Sequence, residues 1–250
     1  DQSCITTKQN DKMKDNVFFV SGIDTNIGKS YATGFLARQW NEAGKRTITQ
    51  KLIQTGNTTM SEDIELHRRL MGTGLLPEDR EGLTMPEIFT YPCSPHLAAK
   101  IDGRPINFEH IKQATEQLSE RYDAVLLEGA GGLMVPLTPD LLTIDYVAQQ
   151  DYPLIFVTSG RLGSINHTLL SLEAVKARKL RLHSVLYNLY PLEEDKIIQE
   201  DTQHYIREYL NRHFPGSPVP DCPLSSDRQT NADLNGRWQV LAAASLRSAS

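Results

Sequence analysis

The sequence predicts an α/β fold: a single domain on a doubly wound, mostly parallel sheet with helices on both faces. Three observations carry this. Strand-like runs alternate with helical patterns along the chain. The runs V-F-F-V (17–20), A-V-L-L (124–127) and P-L-I-F-V-T-S (153–159) are almost continuously apolar, as strands buried on both faces are. Finally, V-F-F-V-S-G-I-D-T-N-I-G-K-S (17–30) reads as strand, glycine loop and helix start in immediate succession.

That last stretch organises the rest. In such a loop the backbone N–H groups point inward and the following helix N-terminus adds partial positive charge, so a polyphosphate satisfies both. The domain is therefore expected to be of the P-loop NTPase type. Lys29 is placed to reach the outer phosphates as a point charge, and the Ser30 hydroxyl to ligate Mg²⁺. Asp24, Thr25, Asn26, Ile27, Gly28 and Tyr31 complete the segment expected to enclose the phosphates of ATP. Gly22 and Gly28 have five residues between them, where the usual loop has four.

After the loop, Tyr31 to Ala43 carry Phe35, Leu36, Trp40 and Ala43 at helical spacing, with Gly44 as the stop. T-I-T-Q-K (47–51) reads as the next strand and ends on Lys51. A helix is expected from Ser61-Glu62-Asp63, where Ser61 suits a cap and acids suit the first turn. For Asp63 this structural role and metal ligation are equally open at this point. Residues 72–92, rich in Gly, Pro and charge, read as loop. Ser94-Pro95-His96 looks like a helix start with Pro near the first position, and His96 alone as a surface or capping histidine. An amphipathic helix follows at 106–121, then a strand from Asp123. That strand runs into Glu128 beside the turn G-A-G-G, where a Walker-B acid belongs. Residues 143–150 are predicted helical, 153–159 a strand, and a long helix runs to Lys179. H-S-V-L-Y-N (183–188) reads as a strand ending on Asn188, and 193–214 as a charged helix. Domain limits are set at 17–225. Residues 1–16 are expected to be a loose polar extension. In 226–250, W-Q-V-L-A-A-A is expected as a final helix and the last residues as frayed.

Bulk properties narrow the function classes. A length of 250 residues accommodates one α/β core without a second domain. The formal charge of −5 argues against general nucleic-acid binding, and no apolar run approaches membrane-spanning length. Cys4, Cys93 and Cys222 are odd in number and far apart, suggesting neither a disulfide framework nor a zinc site. A reducing cytoplasm fits that pattern.

Several motifs coincide with one family. G-I-D-T-N-I-G-K-S (22–30), Lys51 with Thr55-Gly56, Asp63, C-S-P-H (93–96), G-R-P-I (103–106), E-G-A-G-G (128–132), L-G-S-I-N-H (162–167) and Asn188 occur in order over about residues 17–190. The chain resembles the dethiobiotin synthetase family, and the five-residue glycine gap is that family's own form. The resemblance implies a homodimer with sites at the interface. It implies a substrate, 7,8-diaminopelargonic acid (7,8-diaminononanoate), carboxylated with CO₂ and closed to dethiobiotin in biotin biosynthesis. The route would run through an N7 carbamate and a carbamic-phosphoric anhydride made from ATP. Carried over by position, Ser30, Asp63 and Glu128 would ligate Mg²⁺ and Lys29 and Lys51 would hold phosphate and carbamate oxygens. Thr55 would face the substrate, and Asn188 would read adenine. Gly163, Ser164 and Asn166 would bind the tail carboxylate from the partner subunit.

This sequence departs from the family pattern at Asn26 (often Glu), Leu52 (usually Pro), Ser30 (Thr) and Arg161 (commonly Lys). None removes an expected metal ligand, but together they leave room for a divergent paralogue acting on a related diamine. From another class, a P-loop switch or partitioning protein would bind a partner and hydrolyse ATP slowly without a small molecule. A silent binding module is disfavoured by the intact Lys29, Asp63 and Glu128.

Overall fold

Val17–Gly22 forms β1, and every residue in it is buried. Strands that lose both faces to the core need apolar side chains on both, which is why V-F-F-V does not alternate. The computed structural model describes residues 15–189, 196–215 and 238–243. Most of the expected extension 1–16, Cys4, Cys222 and most of the stretch after 215 lie outside them.

From β1 the loop leads into α1 (Lys29–Glu42), which returns to β2 (Thr47–Lys51) and the short β3 (Gln54–Thr55). Helix α2 (Glu62–Met71) follows, its first turn capped by Ser61, whose Oγ accepts from the Ile64 N–H at 3.2 Å. The region 72–92 is not all loop. It contains α3 (Pro77–Arg80) and β4 (Ile88–Phe89), which pairs in parallel with β3. Both are too short to show periodicity, and α3 is held by Asp79, whose carboxylate accepts from the Leu76 N–H at 2.7 Å and from the buried Arg68. Then come α4 (Pro95–Ile101), with Pro at its first position as expected, α5 (Phe108–Arg121) and β5 (Ala124–Gly132). A small hairpin, β6 (Pro136–Thr138) with β7 (Leu141–Leu142), precedes α6 (Thr143–Gln150) and β8 (Leu154–Ser159). The chain continues through α7 (Ser164–Ala177), β9 (Leu182–Asn188), α8 (Lys196–His213) and β10 (Trp238–Ala243).

The main sheet has the order β10-β9-β8-β1-β5-β2, parallel except for β10. Central β1 has β5 on one side and β8 on the other, so the winding reverses there, and ligands of open α/β sheets bind at such a point. The segment read as a final helix is instead the antiparallel edge strand β10, with Trp238 opposite Asn188 and Ala243 opposite Ser184. Six residues are too few to sustain a helix alone, whereas the open edge of β9 offers backbone partners.

At the far end of β1 lies an aromatic cluster with a titratable member. Phe18 and Trp40 meet edge-on at 5.1 Å between centroids, His183 sits 4.9 Å from Phe18, and the Lys45 ammonium lies 4.3 Å over Trp40. Burial, aided by the Lys45 charge, pushes the His183 pKa down to about 4 from an ordinary 6.5. Between those values the unfolded chain binds the extra proton. The contribution is therefore complete above pH 6.5 and is lost as pH falls toward 4, on the order of 3 kcal/mol. The stability of a His183→Phe protein is expected to fall less steeply than wild type between pH 7 and pH 4.5 in urea titrations. Parallel slopes would remove His183 as a source of acid sensitivity.

Candidate active site

The carboxyl ends of β1, β2 and β5 open onto a cavity of about 800 Å³, whose walls include Lys29, Ser30, Lys51, Thr55, Asp63 and Glu128. The register explains the meeting. Lys51 and Glu128 are paired positions on neighbouring parallel strands, so their side chains leave the sheet on the same face. Ser30 enters from the first turn of α1 and Asp63 from the first turn of α2.

The polar groups there are tightly joined. Ser30 Oγ lies 2.7 Å from Asp63 Oδ1 and 2.9 Å from Glu128 Oε1. Lys51 Nζ is 2.6 Å from Asp63 Oδ2 and 2.9 Å from Glu128 Oε1, and donates to the Gly129 carbonyl at 3.3 Å. Glu128 is fully buried, which opposes its ionisation, yet Lys51 and a hydrogen bond from His67 hold its carboxyl far below the usual range. Burial likewise opposes the Lys51 charge, but Glu128 and Asp63 outweigh it and its pKa is raised. Among the described residues no carboxylate pairs with Lys29 in this way. Its ammonium donates to the Asp24 carbonyl at 2.8 Å, and burial, reinforced by Lys51, pulls its pKa down to about 8. The helix cap at this point is Ser61, so the Asp63 carboxylate is left to Ser30 and Lys51 in the cavity.

The loop geometry accounts for two residue choices. Gly28, at φ 92°, is the N-cap of α1, and a Cβ there would fall 2.7 Å from Asn188 Nδ2 and 3.2 Å from Trp238. Asn26 has φ 59°, a left-handed conformation that Asn tolerates better than most side chains. Thr25, Asn26, Gly28 and Tyr31 line the cavity. Asp24 does not. Its carboxylate accepts from the Thr25 N–H at 2.7 Å and from Arg161 at 3.0 Å, which lower its pKa and tie the loop to the start of α7. Ile27 packs in the core, and its carbonyl accepts from Asn188 Nδ2 at 2.8 Å.

Besides Asp24 and Ile27, four further expected site residues stand apart from this cavity within one chain. Asn188 is buried beneath the loop, and Gly163, Ser164 and Asn166 form the beginning of α7. Ser164 Oγ pairs with Ser159 Oγ at 3.0 Å, whereas Asn166 is exposed. Conversely, Gln54 and His67 were not foreseen, and Cys93 was named only within the C-S-P-H motif, without a site role. Gln54 and Cys93 form cavity wall, and His67 grips Glu128 from behind. A sequence signal for His67 did exist: it follows Asp63 by four residues, one helical turn along the same face.

The residues fit a magnesium ion. The Ser30 hydroxyl lies within 3 Å of two carboxylates, a set of hard oxygens, and Mg²⁺ takes one or two carboxylates with phosphate and water oxygens completing its octahedron. Among the described residues no cluster of three His, Cys, Asp or Glu side chains could hold a metal alone.

Comparison with known proteins places this arrangement. A family model described as an AAA domain matches residues 16–220. The chain is 51% identical over 201 residues to the ATP-dependent dethiobiotin synthetase BioD 2 of Pasteurella multocida, covering 80% of this chain and 94% of that protein. It is 52% identical over 213 residues to the corresponding BioD 2 of Haemophilus ducreyi, covering 85% and 99%. The chain belongs to the ATP-dependent dethiobiotin synthetase family. The synthetase BioD of Chlorobaculum tepidum is 50% identical over 223 residues, covering 89% and 93%. A solved structure of pNOB8 ParA superposes with a TM-score of 0.48 at 15% identity, covering 79% of this chain and 78% of that one. In this chain Gly28, at the end of the loop, and the paired Lys51 and Glu128 line one cavity.

Proposed function

We propose that this protein is an ATP- and Mg²⁺-dependent ligase that carboxylates 7,8-diaminopelargonic acid with CO₂ and closes the product to dethiobiotin. The observation that carries the reading is that Ser30 and Lys51 each lie within 3 Å of both the Asp63 and the Glu128 carboxylates at the mouth of the phosphate loop. The family relationship supplies the substrate class, since the relatives' names specify ATP and dethiobiotin.

The chemistry follows from charge. The N7 amine adds to CO₂ and loses a proton, giving a carbamate. A carbamate oxygen attacks the γ-phosphorus, and the bond to ADP breaks. The N8 amine then attacks the carbamoyl carbon, loses a proton and expels phosphate. Two anions, carbamate and γ-phosphate, must approach, and the buried ammoniums of Lys51 and Lys29 offset their repulsion. Ser30, Asp63 and Glu128 would hold Mg²⁺, which when bound would supply neutralisation of phosphate charge. The α1 N-terminus and the loop amides orient the phosphates. Thr55 lies on the wall where the diamine would sit. Gly163, Ser164 and Asn166 are assigned to the tail carboxylate of a neighbouring protomer's substrate, Asn188 to the adenine side, and the assembly to a cytoplasmic homodimer. Among the described residues no helix is long and apolar enough to cross a membrane.

The test is substrate-dependent ATP turnover with ¹⁸O-labelled bicarbonate. Phosphate release is expected to require the diamine and CO₂ together, and label is expected in the phosphate after correction for exchange with water. Turnover indifferent to the diamine would favour a nucleotide switch. Unlabelled phosphate alongside normal dethiobiotin would discard the carbamate route.

A further inference from the structure

Behind Glu128 runs a buried polar chain of residues that do not line the cavity. His67 is completely buried on α2, its Nε2 2.8 Å from Glu128 Oε2 and its Nδ1 3.0 Å from Thr49 Oγ1. Thr49 Oγ1 also accepts from Arg68 Nη1 at 2.8 Å. Arg68, 1% exposed, forks onto Asp79 through Nε and Nη2, both at 2.8 Å. Asp79 in turn accepts from the Thr84 hydroxyl at 2.6 Å.

An ionised Glu128 can only accept, so His67 Nε2 carries a proton and donates. Thr49 Oγ1 accepts from Arg68 and lies 3.0 Å from His67 Nδ1, so both ring nitrogens are engaged. The Arg68–Asp79 fork holds that hydroxyl in place. The imidazole is therefore held in one ring orientation. Glu128 is divided as a result: Oε2 faces His67 and the interior, while Oε1 faces Ser30 and Lys51 in the cavity.

Packing brings His67 within reach. Gly34 of α1 lies under α2, where a Cβ would come 3.0 Å from His67 Cα and 2.8 Å from Leu70 Cδ1, so only a glycine lets the helices approach this closely. Thr49 precedes Lys51 by two residues on β2 and shares its face. One strand thus supplies both a cavity ammonium and the hydroxyl behind the cavity.

We propose that His67 is a positioning residue for Glu128, holding Oε2 so that Oε1 stays directed at the metal and phosphate position, with Thr49, Arg68 and Asp79 as its buried support. This rests on the reading of Glu128 as a metal ligand. Partners behind metal-binding groups are commonly worth 10–100-fold in affinity or rate.

The test measures Mn²⁺ binding to the full-length enzyme with ADP, by electron paramagnetic resonance titration, beside steady-state kinetics. In His67→Leu the Mn²⁺ Kd is expected to rise about tenfold or more and kcat to fall about 10–100-fold, with the diamine KM unchanged. His67→Gln keeps an N–H at similar reach and is expected to recover most of both losses. A His67→Leu enzyme with wild-type Mn²⁺ affinity would overturn the proposal, whatever its melting temperature. If that variant does not fold, Thr49→Val removes the supporting hydroxyl at nearly constant volume and is expected to weaken Mn²⁺ several-fold. Wild-type affinity there would overturn the proposal equally. Glu128→Gln separates the two levels. If it binds Mn²⁺ like wild type, the metal assignment itself fails. If it loses Mn²⁺ while His67→Leu does not, only the role of His67 fails.

Discussion

Lys51→Met is expected to lower turnover about a thousandfold and to destabilise the metal-free protein by roughly 3–5 kcal/mol. The two effects have one origin. The Lys51 ammonium, 5% exposed, bridges Asp63 Oδ2 at 2.6 Å and Glu128 Oε1 at 2.9 Å. Methionine fills the same space and leaves two neighbouring carboxylates without their cation. Removing one partner of a buried ion pair is far more costly than the pair's net contribution, because the remaining charge stays desolvated. The same vacancy removes a cation that offsets the meeting of carbamate and γ-phosphate, hence the rate. Since Mg²⁺ would sit among the same oxygens, it is expected to recover part of the lost stability. Thermal melts should accordingly show a larger Mg²⁺-induced rise in Tm for Lys51→Met than for wild type. A variant melting like wild type without metal would mean that Lys51 does not neutralise this pair. Turnover within tenfold of wild type would remove it from the transfer step.

How much of this was legible in the residues depended on the range of the interaction. β2 and α6 fall at the expected limits because their signals are local: a five-residue strand closed by the loop after Lys51, and an eight-residue amphipathic helix. The phosphate loop was legible for the same reason, its chemistry being written in consecutive residues. The failures involve partners distant in sequence. W-Q-V-L-A-A-A resembles a helix by composition, but a β9 edge some fifty residues upstream makes it a strand, and tertiary context overrides propensity there. α3 depends on Arg68 reaching Asp79 eleven residues on, which no periodicity reveals. Within the site, Lys51 and Glu128 were recognised separately, but their contact is set by strand register across 77 residues. His67 was missed because its importance lies in what it touches. A histidine four residues after Asp63 acquires meaning when β2 places Thr49 on one side of it and β5 places Glu128 on the other.

Lys29 should behave oppositely to Lys51 in stability while matching it in activity. Both ammoniums are buried, but no carboxylate is paired with Lys29 among the described residues. Its recorded partner is the Asp24 carbonyl, and burial together with the Lys51 charge brings its pKa down to about 8. The sign follows from proton binding. Between pH 8 and the ordinary value of 10.5 the unfolded chain holds the extra proton, so stability rises with pH across that interval. At pH 7 the charged Lys29 is therefore a cost to the fold, on the order of 3 kcal/mol before the lost bond to Asp24 is counted. Lys29→Met is expected to leave Tm unchanged or raise it. The same change removes the charge that meets the outer phosphates, and kcat/KM for ATP is expected to fall about a thousandfold. Calorimetry in the absence of nucleotide, run beside the kinetics, separates the two lysines. A marked fall in Tm for Lys29→Met would show that its ammonium is paired in the resting enzyme as Lys51 is, and would undo the division of the two into a ligand-facing and a carboxylate-neutralising charge.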